Sequence, residues 1–484
     1  MVHRNAYAGS WIDGAPADAG NAETVEIRSP FHGGVSARVI YGGDSAIDAS
    51  ARSARKAFSR WAETALADRA ELLEAAADEV VRRADAIVES MIADIGKPRR
   101  AATFEISRTA AFLRATARQV HGQHGEVIPL DSAKAGAGLH GFARRVPFGV
   151  VGAVTPFNAP ANLLMQKLAP AAATGNTVIV KPSLEGTRVA LLIAEAFTAA
   201  GMPNGVFNVV PGAAGEAQAL ARHREVDLVT ITGGTAAGEA LAREAGIRKF
   251  IGELGGNSAN VVLADADLDD AARRITTSAF EASGQQCISA QRVIVEDAAY
   301  GPFLERFVAA ADRLKVGDPN DPETDIGPVV HVRAADRISG MIDDAVRAGA
   351  RLVREPRRNG CIIHPTIVVD AAAGARVIAE EIFGPVAVVM RARDFDDAIA
   401  QANDCEYGLQ ASVFTRDLAR ALGAADRIRA GSVWINEGSR FRLDNYPFGG
   451  VGRSGHGREG VRYALDEYTQ WKFTGIRLTP STTN

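Results

Sequence analysis

Two kinds of apolar spacing divide the chain. Between about residues 45 and 120 the apolar positions recur at helical intervals. Asp44 or Ser45 is placed to cap a first helix whose apolar side chains include Ile47, Ala54, Phe58 and Trp61. A longer helix is predicted from about 68 to 95, with Leu72, Leu73, Ala76, Val80, Ala84, Ile87 and Met91 near helical spacing and Gly96 as its stop. A third covers roughly 101–120, after Pro98. The segment 121–147 is rich in glycine and holds two strand-like runs, 126–130 and 140–146, which read as an extended hairpin too short to bury much surface alone. From residue 148 strands and helices alternate. Strands fall at 149–154, 177–181, 206–210, 227–232 and 249–251, and helices lie after Pro160, at 187–200, after Gly215 and at 236–245. Apolar strands alternating with helices specify a doubly wound parallel sheet, which binds ligands at the carboxyl ends of its strands. A second alternating region spans about 256–460, with strands at 259–263, 291–296, 386–390, 411–414 and 432–435. The tail, 463–478, alternates through Tyr468, Trp471, Phe473 and Ile476 and reads as one strand, pairing with the 121–147 hairpin or with another subunit.

Composition narrows the function. A chain of 484 residues holds material for about two to four domains. A net charge of -4, with both signs interspersed, supplies no field for nucleic acid, so no such partner is expected. No stretch is long and apolar enough to span a bilayer, and the first twenty residues lack the apolar core of a secretory signal, so no membrane partner is expected. The three cysteines, Cys287, Cys361 and Cys405, match neither a metal pattern nor a disulfide framework. No metal site and a reducing, cytoplasmic setting are therefore expected.

Three short segments carry chemistry. Cys287, in Gly284-Gln285-Gln286-Cys287-Ile288, follows a helical run and sits in a glycine-bounded turn that can expose a thiol and lower its pKa. A lone cysteine also fits a buried structural role. Glu253, in Glu253-Leu254-Gly255-Gly256-Asn257, lies past a strand end with two permissive glycines behind it, as a mobile general base would, or as a surface turn would. Asn158, in Thr155-Pro156-Phe157-Asn158, ends the first buried strand, where its amide can stabilise an oxyanion or cap the next helix.

Taken in order, these segments resemble the aldehyde dehydrogenase superfamily. Lys181-Pro182-Ser183, Glu381-Ile382-Phe383-Gly384-Pro385, Asn436, Pro447-Phe448-Gly449-Gly450 and Ser454-Gly455-His456-Gly457-Arg458-Glu459 extend the resemblance over nearly the whole chain. It implies an α/β fold with two doubly wound parallel-sheet domains and a small β oligomerisation domain. The boundaries it implies are 1–120 with 148–255 for nucleotide binding, 256–462 for catalysis, and 121–147 with 463–484 for oligomerisation. Cys287 is then the nucleophile, Asn158 the oxyanion donor and Glu253 the base that activates water. Glu459 and Lys167 match a proton relay, although Lys167 suits a structural ion pair equally well. NAD or NADP is the implied cofactor. Thr155, Pro156, Phe157, Lys181, Ser183, Gly233, Gly238, Leu254, Glu381 and Phe383 are its implied contacts, the stretch from Gly233 to Gly238 opening a helix that can meet a pyrophosphate.

Some positions depart from the family pattern. Leu184 stands where NAD-preferring members often carry glutamate, and Arg188 is near enough in sequence to reach a 2′-phosphate. Gly234 stands where serine is common, and Phe157 where tryptophan is. Asn162, Gln286, Ile288, Arg440 and Arg442 are candidate substrate residues. The loop 437–444 resembles the subgroup acting on lactaldehyde, glyceraldehyde phosphates and phosphonoacetaldehyde. A short polar or anionic aldehyde is the expected partner, unless Arg442 merely pairs with Asp444 beside it. A homodimer or homotetramer is expected. The alternatives are CoA-acylating chemistry, which leaves Glu253 without a role, and a nucleotide-free thiol hydrolase, which needs a histidine that only His456 is placed to supply.

Overall fold

The computed structural model describes residues 7–18 and 22–478. Residues 1–6, 19–21 and 479–484, parts of the segments assigned above, lie outside the described residues.

The first alternating region folds into an eight-stranded sheet. Its five central strands are parallel, in the order Lys249–Glu253, Leu228–Thr232, Val150–Thr155, Thr177–Pro182 and Phe207–Val209. Gly455–His456 extends one edge antiparallel to Lys249–Glu253, and Trp11–Ile12 extends the other. The second region forms a seven-stranded sheet, parallel except at the edge strand Arg351–Arg354. Central strands are buried on both faces, which explains why they read as unbroken apolar runs. The strand Lys249–Glu253 runs two residues further than the pattern predicts and so delivers Glu253 at its carboxyl end. Within the seven-stranded sheet two strands escape the pattern, Arg351–Arg354 and the buried Thr366–Val369, whose four residues are too few to show a period.

The helices correct three expectations. The first helix, Gly43–Trp61, takes no side-chain cap, and Asp44 lies within its first turn. The predicted long helix is two, Leu66–Arg82 and Ala84–Ile95, broken at Arg83. Ala76, Ala77 and Val80 before the break and Ile87, Val88 and Met91 after it enter one core, so apolar spacing continues across it. Gly96 stops the second helix in the left-handed conformation, φ 68°. The tail is a helix, Val461–Glu467, followed by the strand Thr469–Arg477. That strand pairs antiparallel with Leu139–Pro147 of its own chain along nine residues, and Glu126–Ile128 completes the three-stranded sheet. No helix among the described residues is long and apolar enough to cross a membrane, and none of them form a group that could hold a metal ion.

Candidate active site

After the helix Leu268–Phe280 the backbone enters a run of positive φ, 53° at Ala282, 59° at Ser283 and 66° at Gly284. Such a conformation costs about 1–2 kcal/mol at each non-glycine residue. Contacts on both sides hold it. Ser283 Oγ donates to the Gly327 carbonyl at 2.8 Å, and the Val330 amide donates to Gln285 Oε1 at 2.9 Å. A side chain on Gly284 would lie 2.1 Å from the Gly384 carbonyl oxygen, and one on Gly256 would lie 1.9 Å from that of Cys287. Both glycines are therefore required by close backbone approach, and they pull three distant motifs into one site. Cys287 is half-buried and packs with Ile288, Leu409, Tyr446 and Phe448. Burial pushes its thiol up to about 12, with Glu381 adding to the effect and Arg442 opposing it. This runs against the lowered pKa expected from the turn, because burial and three carboxylates outweigh the one cation, Arg442.

The two carboxyls near it differ in their partners. Glu253 is 3% exposed, and neither carboxylate oxygen has a hydrogen-bond partner among the described residues. Burial, then the charge of Glu459, raises its pKa well above the usual range, against Arg442, Lys167 and Arg458. Glu459 is equally buried, but Lys167 Nζ lies 3.2 Å from Oε1 and Arg442 Nη2 lies 2.8 Å from Oε2. Against the burial that would raise it, these two cations hold Glu459 below the ordinary value. Arg442 also lies 3.7 Å over the Phe448 ring. Arg442 therefore does not pair with its neighbour Asp444, which instead accepts from Arg108 at 2.7 Å and Gln166 at 2.9 Å. Arg440 pairs with Glu281 at 2.6 Å.

Asn158 leaves the end of Val150–Thr155 and donates from Nδ2 to the Gln285 carbonyl at 2.8 Å. It does not cap the helix Pro160–Ala173, whose N-cap position is Ala159. Glu105 does that work, accepting from the Ala161 and Asn162 amides at 2.8 and 3.0 Å. The Asn162 side chain is buried with Nδ2 unpartnered among the described residues. Gln286 is partly buried. The Ile288 carbonyl accepts from Ser439 Oγ at 2.9 Å.

The residues expected to meet a dinucleotide gather along the strand ends. Gly233 donates to the Glu253 carbonyl at 3.1 Å, and the helix Thr235–Ala245 begins beside it. Gly234 is exposed, with nothing near where a side chain would start. Gly238 packs so closely that a Cβ would stand 2.3 Å from the Leu254 side chain. Glu381 Oε1 accepts from the Gly256 amide at 2.9 Å, and burial pushes its carboxyl up to about 7. Phe383, at φ 49°, meets Phe157 edge to face at 5.9 Å. Thr155 and Pro156 lead to Phe157, and the Thr155 carbonyl accepts from the Ser183 amide at 2.8 Å. Lys181, at a neighbouring strand end, is buried with no ion pair among the described residues, and burial lowers its ammonium to about 8. An open helix N-terminus, a buried cation awaiting a partner and a buried carboxyl fit a phosphate, ribose and nicotinamide ligand. Arg188 is not available for a 2′-phosphate, because it makes a two-pronged pair with Asp94 at 2.5 and 2.6 Å. Leu184 packs against the small core of Ala8, Ile27, Ala37 and Val39. Sequence reading misses Lys97, Glu105 and Arg108, and it sets Asp444 beside Arg442 rather than the distant Arg108 and Gln166.

A family model described as the aldehyde dehydrogenase family matches residues 17–474. The chain belongs to the aldehyde dehydrogenase family. It is similar to the 3-sulfolactaldehyde dehydrogenase of Priestia aryabhattai, 38% identical over 412 residues, covering 85% of this chain and 86% of that protein. The NADP-dependent glyceraldehyde-3-phosphate dehydrogenase from Bacillus halodurans C-125, solved with NADP, superposes with a TM-score of 0.95 at 34% identity, covering 98% of this chain and 100% of that one. The NAD-dependent aldehyde dehydrogenase from Sinorhizobium meliloti gives 0.94 at 32% identity, covering 100% and 97%. This aldehyde dehydrogenase therefore has the family's α/β fold, uses NAD or NADP, and oxidises an aldehyde to a carboxylic acid.

Proposed function

We propose that oxidation runs through a thioester on Cys287. As its thiolate, Cys287 adds through sulfur to the aldehyde carbonyl, and the resulting oxyanion is held by Asn158 Nδ2–H and the Cys287 N–H. Bound NAD or NADP supplies the hydride acceptor. Glu253 then takes a proton from the water that attacks the thioester, releasing the acid and the Cys287 thiolate. The observation that carries this reading is Glu253, a buried carboxyl without a hydrogen-bond partner among the described residues, close enough to Cys287 for its charge to raise the thiol. Such a base supports hydrolysis over transfer to CoA. Lys167 and Glu459 serve a proton relay behind it. Lys181, Ser183, Gly233, Gly238, Leu254, Glu381, Phe383 and Thr155–Phe157 hold the nucleotide.

The substrate is a short aldehyde with a polar or anionic end. Asn162 Nδ2, Arg440 Nε and Arg442 Nε are buried donors without acceptors among the described residues, an arrangement that suits an oxygen-rich group. The name of the relative acting on 3-sulfolactaldehyde supports that lean. The domain division is 1–120 with 148–255, 256–462, and 121–147 with 463–484. Exposed Val127, Phe142, Trp471, Phe473 and Ile476 on the three-stranded sheet support a homodimer or homotetramer. Three free cysteines suit a cytoplasmic enzyme. Reduced-nucleotide absorbance with lactaldehyde, glyceraldehyde 3-phosphate, phosphonoacetaldehyde and succinate semialdehyde, each with NAD and NADP, tests the reading. Turnover that vanishes in Cys287→Ala supports it, and turnover that survives overturns it.

A further inference from the structure

Asn158 is held from two sides by groups that do not touch the reacting atoms. Its backbone carbonyl oxygen accepts from Lys97 Nζ at 2.9 Å, and the same ammonium pairs with Glu105. The Lys97 and Glu105 side chains are 9% and 5% exposed, so the pair is shielded from solvent. Through its other oxygen Glu105 fixes the Ala161 and Asn162 amides, the first turn after Asn158. Lys97 sits in a turn pressed against the segment that supports the cysteine loop. A side chain on Gly96 would stand 2.3 Å from Pro328, and one on Gly327 would stand 2.5 Å from the Gly96 carbonyl oxygen. Gly327 in turn accepts from Ser283, and the Gln285 carbonyl accepts from Asn158. The contacts close a ring from Asn158 through Lys97, Gly96, Gly327, Ser283 and Gln285 back to Asn158. Residues of this ring line a small cavity between the two segments.

We infer that Lys97 and Glu105 are positioning residues for catalysis, a buried ion pair that fixes the Asn158 amide relative to the cysteine loop. One Nδ2–H is committed to Gln285, which leaves the second to meet an oxyanion, and the ammonium on the Asn158 backbone carbonyl fixes the main-chain position from which the side chain projects. The inference rests on the proposed oxyanion role of Asn158. A misplacement of about 1 Å at such a donor lowers rates by about 100-fold.

The test is a double-mutant cycle on the hydride burst of the full-length enzyme, with nucleotide affinity measured alongside. Asn158→Ala is expected to slow the burst by about 100- to 1000-fold. If it does not, the oxyanion role itself fails, whatever Lys97 does. Lys97→Met is expected to slow the burst about 10- to 100-fold with nucleotide affinity unchanged, and to add less than about threefold in the Asn158→Ala background. Lys97→Arg, which restores charge and donors, should recover part of the rate. A Lys97→Met burst within threefold of the parent, or a full effect that persists without the Asn158 amide, overturns the inference. Should Lys97→Met fail to fold, Glu105→Gln decides. It keeps an acceptor for the Ala161 and Asn162 amides while removing the ion pair, and it must show the same loss of effect in the Asn158→Ala background.

Discussion

Replacing Glu253 by glutamine should make the protein more stable, and increasingly so as pH rises. Glu253 is buried beside the anionic Glu459, and neither of its oxygens is hydrogen-bonded among the described residues. Its folded pKa is raised above the ordinary 4.5 by burial first and Glu459 second. A carboxyl raised on folding contributes stability that is complete below the unfolded pKa and is lost as pH climbs through the folded one. Each unit of elevation weakens the fold by about 1.4 kcal/mol once pH exceeds both values. Glutamine has nearly the same shape and does not titrate, so it escapes that loss. In urea titrations at fixed pH values, the stability of Glu253→Gln relative to the parent should climb by up to about 1.4 kcal/mol per unit above pH 4.5, then level off. The levelling point reads out the folded pKa of Glu253. A difference that stays flat across pH, or one that falls, would show that the carboxylate is ionised and well solvated, and would remove the physical basis for its role as base.

Three further outcomes follow, two from the same cluster and one from the nucleotide side. Arg442→Met strips one of two cations from Glu459. Loss of a buried partner costs about 3–5 kcal/mol, and because Lys167 remains, a loss of about 2–3 kcal/mol is expected in denaturant; the acidic limb of the turnover profile should also move to higher pH, since Arg442 lowers the Glu253 pKa. With a thiol near 12, alkylation of Cys287 by iodoacetamide without nucleotide should rise about tenfold per pH unit from 7 to 10, followed by peptide mapping; a plateau below pH 9 contradicts it. Lys181 loses its charge as pH rises through about 8, so nucleotide affinity measured by fluorescence titration should weaken above that pH, and weaken less in Lys181→Met.

Much of this was legible in the sequence because the chemistry is local. Cys287, Glu253 and Asn158 each sit where a strand or helix pattern ends, and strand ends are where an α/β sheet gathers its ligands. The ion pairs were not legible. Arg442 has Asp444 two residues away, yet it reaches Glu459, because Phe448 supports it on that side and Arg108 and Gln166 already occupy Asp444. Arg188 meets Asp94, and Lys97 meets Asn158, across separations no periodicity records. The break at Arg83 was hidden for a related reason, since burial on one core fixes apolar spacing without fixing helix continuity.

The claim of a thioester on Cys287 is tested most directly by trapping it. Glu253→Gln is mixed with an accepted aldehyde and excess nucleotide, quenched in acid within the burst, digested and analysed by mass spectrometry. The account predicts the mass of the acyl group on the peptide containing Cys287, at a yield matching the reduced nucleotide formed in the burst. A full burst with Cys287 unmodified, or with the label on Cys361 or Cys405, would contradict it.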